Sequence, residues 1–323
     1  MYDVISRKEL ANRLSNPILA EELSLSHGCS HLIVDAKTPG QWPNDIYQSQ
    51  CPIIALGTEK ESSNTAPVDM YCNEDQIEFL VSSIDQQPEA SAIACQVLRN
   101  NAASGIEQGL LAESLAYSLL LESQSFKSWL KNRPTRQLDR TADANVIIER
   151  ENKTLIIILD RPKKHNAYSE ALKDKFCEAL QLGASDQSID QIHISGTGPS
   201  FCSGGDLNEF GSVTNAAASH LSRVTRSAGY LLSTIQEKTH FQVHGACIGA
   251  GIELTAFSHS ISAHEDSFFQ LPEVSMGLIP GAGGTVSINR RIGRQKTAYM
   301  AITGLRVDSQ TALNWGLVDT LFT

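Results

Sequence analysis

At 323 residues, with 41% hydrophobic and 19% charged side chains, the chain has the length of about two domains and an ordinary globular composition. A net charge of −10 gives nucleic-acid binding no electrostatic support, and no apolar run approaches the roughly 18 residues of a membrane-crossing helix, so neither partner is expected. The seven scattered cysteines are odd in number and contain no C-x-x-C pair, and the first ten residues lack a secretory pattern, which together place the expected location in the cytoplasm.

In the first half, Leu32 to Val34 and Pro52 to Leu56 are short apolar runs bounded by turn residues and read as strands. Ile77, Leu80, Val81 and Ile84, then Ile93 and Val97, recur at helical spacing, with Pro88 separating two helices. Gly105 to Leu130 reads as one longer helical pattern, with Leu110, Leu111, Leu115, Leu119 and Leu120 on a broad apolar face. The polar stretch Lys131 to Thr141, interrupted by Pro134, marks the expected boundary between residues 1–140 and 141–323. Residues 1–145 carry a balance of −8 (11 basic, 19 acidic) and residues 146–323 a balance of −2 (15 basic, 17 acidic), so the second half is the better host for a polyanionic ligand.

The second half alternates strands and helices, which predicts an α/β fold with a largely parallel sheet. Thr154 to Leu159 reads as a strand buried on both faces. It leads into Asp160-Arg161-Pro162-Lys163-Lys164-His165-Asn166-Ala167. Gln191 to Ser195, another strand, enters the loop Gly196 to Leu207, whose Ser203-Gly204-Gly205-Asp206 lets a ligand approach the backbone. His244 to Leu254 is a strand end, a small-residue turn and a helix start. Amide N–H groups exposed at such a start suit an oxygen that gains negative charge. Glu253 falls in the first turn of that helix, and Pro272 is expected to begin another whose first turn holds Glu273. Gly281-Ala282-Gly283-Gly284 lacks a P-loop lysine and reads as a loop bordering a pocket. Cys202 reads as a buried small residue rather than a nucleophile, and His244 as a hydrogen-bonded strand end rather than a base.

These motifs, in this order and spacing over residues 145–319, resemble the crotonase (enoyl-CoA hydratase/isomerase) superfamily. The resemblance implies a ββα superhelix core preceded by a smaller, helix-rich α/β region. It implies an acyl-CoA thioester as substrate, with coenzyme A entering only as part of it, and no metal or redox cofactor. By the same resemblance the amides of Gly205 and Ala250 form an oxyanion hole. Lys163, His165, Ala167, Ser203, Gly204, Asp206 and Leu207 line the coenzyme A side. Glu253 and Glu273 match the acidic pair of hydratase-type members. Two carboxyls facing one water can deliver it to C3 and a proton to C2 of a 2-enoyl thioester. Glu253 is then the base and Glu273 the acid.

The chain departs from the resemblance in its long N-terminal region and in the apparent absence of the helical tail that follows the core in ordinary members. The helix of residues 105–130 is expected to cover the surface that such a tail would occupy. A homo-oligomer based on a trimer is a further expectation. Two alternatives stay open: double-bond isomerisation, which needs only one of the two carboxylates, or another thioester-enolate reaction; and a non-catalytic acyl-CoA-binding or assembly subunit. Phe210 and Met276 are expected in the acyl pocket.

Overall fold

The computed structural model describes residues 2–44, 46, 49–57, 67–133, 145–212 and 215–323. Most of the expected boundary, residues 134–144, lies outside them. The chain opens with a parallel four-stranded sheet in the order β1 (Val4–Ile5), β2 (Leu32–Asp35), β3 (Ile53–Leu56), β4 (Met70–Cys72). Two helices, α1 (Arg7–Ser15) and α2 (Pro17–Glu21), follow β1, each capped by the side chain before it, Ser6 and Asn16. Four more helices come next: α3 (Ile77–Gln86), α4 (Pro88–Ala103), α5 (Ile106–Leu121) and α6 (Gln124–Asn132).

The second half is built on a six-stranded sheet. Its strands are β5 (Asn145–Glu151), β6 (Thr154–Asp160), β7 (Gln191–Gly196), β8 (Thr239–Val243), β10 (Ser260–His264) and β13 (Thr320–Phe322), ordered β13-β10-β8-β7-β6-β5. Every neighbouring pair is parallel except β5 with β6. A smaller sheet combines β9 (Ala246–Ile248), β11 (Phe268–Gln270) and β12 (Val307–Asp308). The intervening helices are α7 (Glu170–Ser185), α8 (Ala216–Thr225), α9 (Ala228–Thr234), α10 (Ala250–Thr255), α11 (Gly284–Ile292), α12 (Arg294–Thr303) and α13 (Ser309–Trp315). Repeated strand-strand-helix stacking of this kind is the expected α/β architecture.

Three local expectations need correction. Strand β6 is not buried on both faces: Leu155, Ile157 and Leu159 are buried, while Ile156 and Ile158 on the other face are only half-buried. The pattern over 105–130 is two helices, broken at Glu122 and restarted at Ser123, whose hydroxyl caps Phe126 N–H. Most unexpectedly, α5 turns its leucines outward. Leu111, Leu115 and Leu119 are 47%, 53% and 65% exposed, whereas Gly109, Glu113, Ser114 and Ser118 are buried. Gly109 explains the choice of face. A Cβ there would lie 2.8 Å from Val286 Cγ2, so only a glycine lets α5 come this close to α11.

The apolar core is continuous from α3–α6 into the second half, with Ile77, Leu80, Leu98, Leu120 and Phe126 in one cluster with Leu155, Val243 and Ile288. A separate small cluster, centred on Val34, Ile53 and Leu10, lies under the first sheet. Polar ties reinforce the join. Asn101 Nδ2 donates to Thr285 Oγ1 at 2.9 Å, and Asn289 Nδ2 to the Leu98 carbonyl at 3.3 Å. Asp69, 1% exposed at its side chain, accepts from Arg99 of α4 at 2.5 and 2.9 Å and from Arg294 of α12 at 2.9 Å.

Removing one member of such a buried ion cluster strands the others without a counter-charge. Asp69→Ala is expected to lower unfolding stability by about 3–5 kcal/mol in denaturant titration. A loss below about 1 kcal/mol would show that the cluster does not hold the two halves together.

Candidate active site

Two turns build one wall of the site. Cys202 and Cys247 pair as a short parallel bridge, with Cys202 N–H donating to Ala246 O at 3.1 Å and Ile248 N–H to Cys202 O at 3.0 Å. Gly205 and Ala250 each lie three residues beyond that bridge, so the register carries them forward together. The turns touch closely enough that a Cβ on Gly204 would sit 3.1 Å from the Ile248 carbonyl oxygen. Gly205 and Ala250 both line a cavity of about 610 Å³. Among the described residues, neither N–H has an acceptor. Ala250 opens α10 and therefore presents one of the helix's orphan amides.

Glu253 and Glu273 line the same cavity. Glu253 is fully within α10 and 2% exposed. Its Oε2 accepts from the N–H groups of Ala282 at 2.7 Å and Gly284 at 2.9 Å, at the start of α11. Burial pushes its carboxyl up to about 7, against the opposing pull of these amides. Glu273 precedes a short 3-10 turn, Val274–Met276, rather than standing in the first turn of an α-helix as expected. Its backbone carbonyl receives Met276 and Leu278 N–H, both at 3.0 Å, which fixes the side chain's departure point. Its Oε2 is buried without a hydrogen-bond partner. Burial, followed by the charge of Glu253, raises its proton affinity well above the usual carboxylate range.

The asymmetry decides the protonation states. A buried carboxylate oxygen without a donor disfavours ionisation, so burial raises the Glu273 carboxyl well above the usual range, while amides at a helix N-terminus oppose the rise at Glu253.

A third carboxyl in the cavity was not legible in the sequence. Glu113 of α5 is 2% exposed and lines the cavity beside Glu253. Its Oε1 accepts from Gly283 N–H at 2.7 Å, and its Oε2 from Thr285 N–H at 2.9 Å and Thr285 Oγ1 at 2.6 Å. The periodic leucines of α5 drew attention to the opposite side of the helix. The available signal was the set Gly109, Glu113, Ser114, Ser118, which is small or polar at helical spacing. The same helix adds Leu110, Tyr117 and Leu121 to the cavity wall.

The residues expected on the coenzyme A side behave differently. Asp206 lines the cavity, but its carboxylate is engaged by Arg161 at 2.7 Å and caps Asn208 N–H at 3.0 Å. Lys163, His165 and Leu207 are exposed, and none of them lines the cavity, nor do Ala167, Ser203 or Gly204. They sit on the turns outside it: His165, at φ 52°, meets Ser200 Oγ through Nδ1 at 3.1 Å, and its carbonyl accepts Ser203 N–H at 3.0 Å. Phe210 lines the cavity, whereas Met276 does not. Cys202 is buried, with its thiol pushed up to about 12 by desolvation, which makes it a poor nucleophile. His244 Nε2 lies 2.8 Å from the Gly198 carbonyl at its strand end.

This combination of a parallel α/β core, paired small-residue turns and buried carboxyls defines a crotonase-type fold. Residues 149–323 match the enoyl-CoA hydratase/isomerase family, and the chain belongs to that family. It is 32% identical over 179 residues to 2,3-dehydroadipyl-CoA hydratase of Escherichia coli, covering 55% of this chain and 69% of that one. To a probable mitochondrial enoyl-CoA hydratase of Dictyostelium discoideum it is 31% identical over 53% of this chain and 61% of the relative, so it spans about three-fifths of that protein. The crystal structure of enoyl-CoA hydratase from Thermoplasma volcanium superposes with a TM-score of 0.51 at 27% identity, covering 56% of this chain and 72% of that one.

Gly249, at φ 49°, stands between the two turns, and a Cβ there would overlap Glu273 Oε1. Gly249→Ala is expected to cost about 1–3 kcal/mol through backbone strain. It should also move the Glu273 carboxyl, read as a drop in that group's pKa by side-chain NMR titration. An unchanged titration would mean that the Glu273 carboxyl is not held against this turn.

Proposed function

We propose that the protein hydrates a 2-enoyl-CoA thioester, or catalyses the reverse dehydration. The observation that carries this reading is the unequal environment of Glu253 and Glu273: one carboxyl with two amides on a single oxygen, the other buried with an oxygen that has no partner. In the proposed reaction the thioester carbonyl oxygen lies against the amides of Gly205 and Ala250. Charge that develops on this oxygen as water adds to C3 is stabilised there. A donor of this type contributes roughly 3–4 kcal/mol of barrier lowering. Glu253 orients the water and takes its proton, and Glu273 delivers a proton to C2. The exposed turn carrying Lys163 and His165, with Ala167 and the Ser203–Leu207 segment, is proposed to hold the coenzyme A portion outside the cavity.

Support for the acyl-CoA class comes from the family and from the names of the relatives. Isomerisation is the second reading, because the family includes both activities. We also propose a division of labour near residue 140. Residues 1–140 supply a wall of the cavity through α5, and residues 141–323 supply the oxyanion donors and the acidic pair. A trimer-based homo-oligomer fits the exposed stripe of Leu111, Leu115 and Leu119. A cytoplasmic setting fits the cysteines, six of which are buried as small apolar residues. Among the described residues no helix is long and apolar enough to cross a membrane.

Hydration is followed as the loss of absorbance of the conjugated thioester of crotonyl-CoA. Glu253→Gln and Glu273→Gln are each expected to lower kcat by about 10²–10⁴-fold. An isomerase would tolerate one of them, and tight calorimetric binding of acyl-CoA without turnover would support a binding subunit instead.

The rate should depend on pH with a definite sign. Glu253 works ionised, so kcat/KM falls as pH drops through about 7. Glu273 works protonated, so a second decline sets in on the alkaline side once its raised pKa is passed. A profile without an acid limb near pH 7 would remove the role of Glu253, and one without any alkaline decline would remove that of Glu273.

A further inference from the structure

Four consecutive amides at the start of α11 are divided between two carboxyls from opposite halves of the chain. Ala282 and Gly284 N–H go to Glu253, while Gly283 and Thr285 N–H go to Glu113. The two sets alternate along the backbone, so each carboxyl holds the turn from its own side. Space around the turn is tight: a Cβ on Gly284 would lie 2.6 Å from Glu253 Cγ, and one on Gly281 2.5 Å from the Tyr117 ring. Glu113 therefore cannot shift without moving the amides on which Glu253 rests.

We propose that Glu113 is a positioning residue of the active site: it clamps the 281–285 turn that orients Glu253 and, as a carboxyl of the same cavity, once ionised it opposes the ionisation of Glu273. The catalytic consequence rests on the roles of Glu253 and Glu273 given above. The clamp and the electrostatic coupling do not.

The groups that face Glu113 come from every element around it. Tyr117 is one turn along its own helix. From α8, Arg223 reaches into the cavity, stacks over Tyr117 at 4.5 Å and donates to Ser114 and Ser118. His220 of the same helix lies 2.9 Å from Ser114 Oγ through Nδ1. Glu253 comes from α10, and Glu273 from the turn after β11. Tyr230 of α9 is on the cavity rim. On α11 and α4 the charged side chains point elsewhere, Arg290 to Ser104 O, Arg291 to Asp319 and Arg99 to Asp69. Lys127 of α6 pairs with Glu122.

Arg223 is a cation on the cavity wall, as are Lys173 and Arg226, and its hydrogen bonds go to serine oxygens. It offsets only part of three carboxyls. Burial, then the charge of Glu253, pushes Glu113 up to about 8, and the charges of Glu253 and Glu113 both add to the rise at Glu273.

The test uses the full-length protein with its glutamate side chains labelled with carbon-13. Carboxyl titrations without substrate are recorded for the wild type, Glu113→Gln and Glu113→Asp, beside pH profiles of crotonyl-CoA hydration. In the wild type, the resonances of Glu113, Glu253 and Glu273 are each expected to titrate above the ordinary range, with Glu209 at the cavity lining as a fourth raised glutamate. A Glu113 resonance that titrates in the ordinary range would overturn the proposal, whether or not any variant folds. In Glu113→Gln, which removes the charge, the Glu273 titration and the alkaline limb of kcat/KM should both move to lower pH by roughly one unit or more. Glu113→Asp keeps the charge and should leave the limb in place while lowering kcat about tenfold, because the shorter side chain loosens the clamp. A lower melting temperature in Glu113→Gln with an unmoved Glu273 titration would reduce Glu113 to a structural residue and overturn the proposal. If the titrations shift as expected while no acyl-CoA is turned over, the coupling stands and the hydratase reading falls.

Discussion

The site depends on a shortage of backbone donors. Three buried glutamates, Glu113, Glu253 and Glu273, share one cavity, and the start of α11 offers the amides of Ala282, Gly283, Gly284 and Thr285 to satisfy them. Two carboxyls take all four. The third, Glu273, is left with an oxygen that has no partner. Desolvation is the largest influence on each of the three, and the amides of one helix terminus oppose it at Glu253 and Glu113. The proposed base and acid are the same residue type with unequal access to that terminus.

This constraint explains why the region 1–140 matters to the chemistry. Glu113 is tolerable in the interior only if α5 is docked against α11, because the Gly283 and Thr285 amides are its donors. The docking is secured by groups far from the cavity. Asp69 ties α4 to α12, and Asn101 bonds the same Thr285 hydroxyl that serves Glu113. One apolar cluster runs beneath these contacts without a break. The site and the join between the halves are one structure, and a disturbance in either reaches the other through Thr285.

Much of the second half was readable because its chemistry is carried by the backbone. Amides that must approach a ligand demand small residues, so Gly205, Gly249 and Ala250 left a pattern at fixed spacing. Glu253 and Glu273 were readable from their places within that pattern. Strand and helix positions in the first half followed apolar periodicity and turn residues, as at Leu32, Ile53 and Pro88. The face of α5 did not. A leucine stripe normally marks the buried side of a helix, yet here the close approach to α11 requires Gly109 and leaves room for Glu113, Ser114 and Ser118 instead. Within α5 only the small or polar face shared with Gly109, Ser114 and Ser118 separates Glu113 from an exposed glutamate such as Glu107. Its partners belong to a turn about 170 residues later, and that proximity exists only in three dimensions.

The outward leucines and the inward polar residues of α5 are two consequences of one arrangement. Helix α5 presents Glu113 and Ser114 to the cavity and the amides of α11, together with Leu110, Leu111, Tyr117 and Leu121, while Leu115 and Leu119 face away from it. Turning Glu113 and the serines inward satisfies those amides and gives Arg223 its oxygen partners. The displaced leucines then lie on the outside, where their burial requires another surface. Polar satisfaction within the cavity is the stronger term: an unpaired buried amide costs about 1–3 kcal/mol, and several would be stranded at once. The orientation of this helix is fixed by the hydrogen-bond requirements of the cavity, and the apolar stripe follows from it.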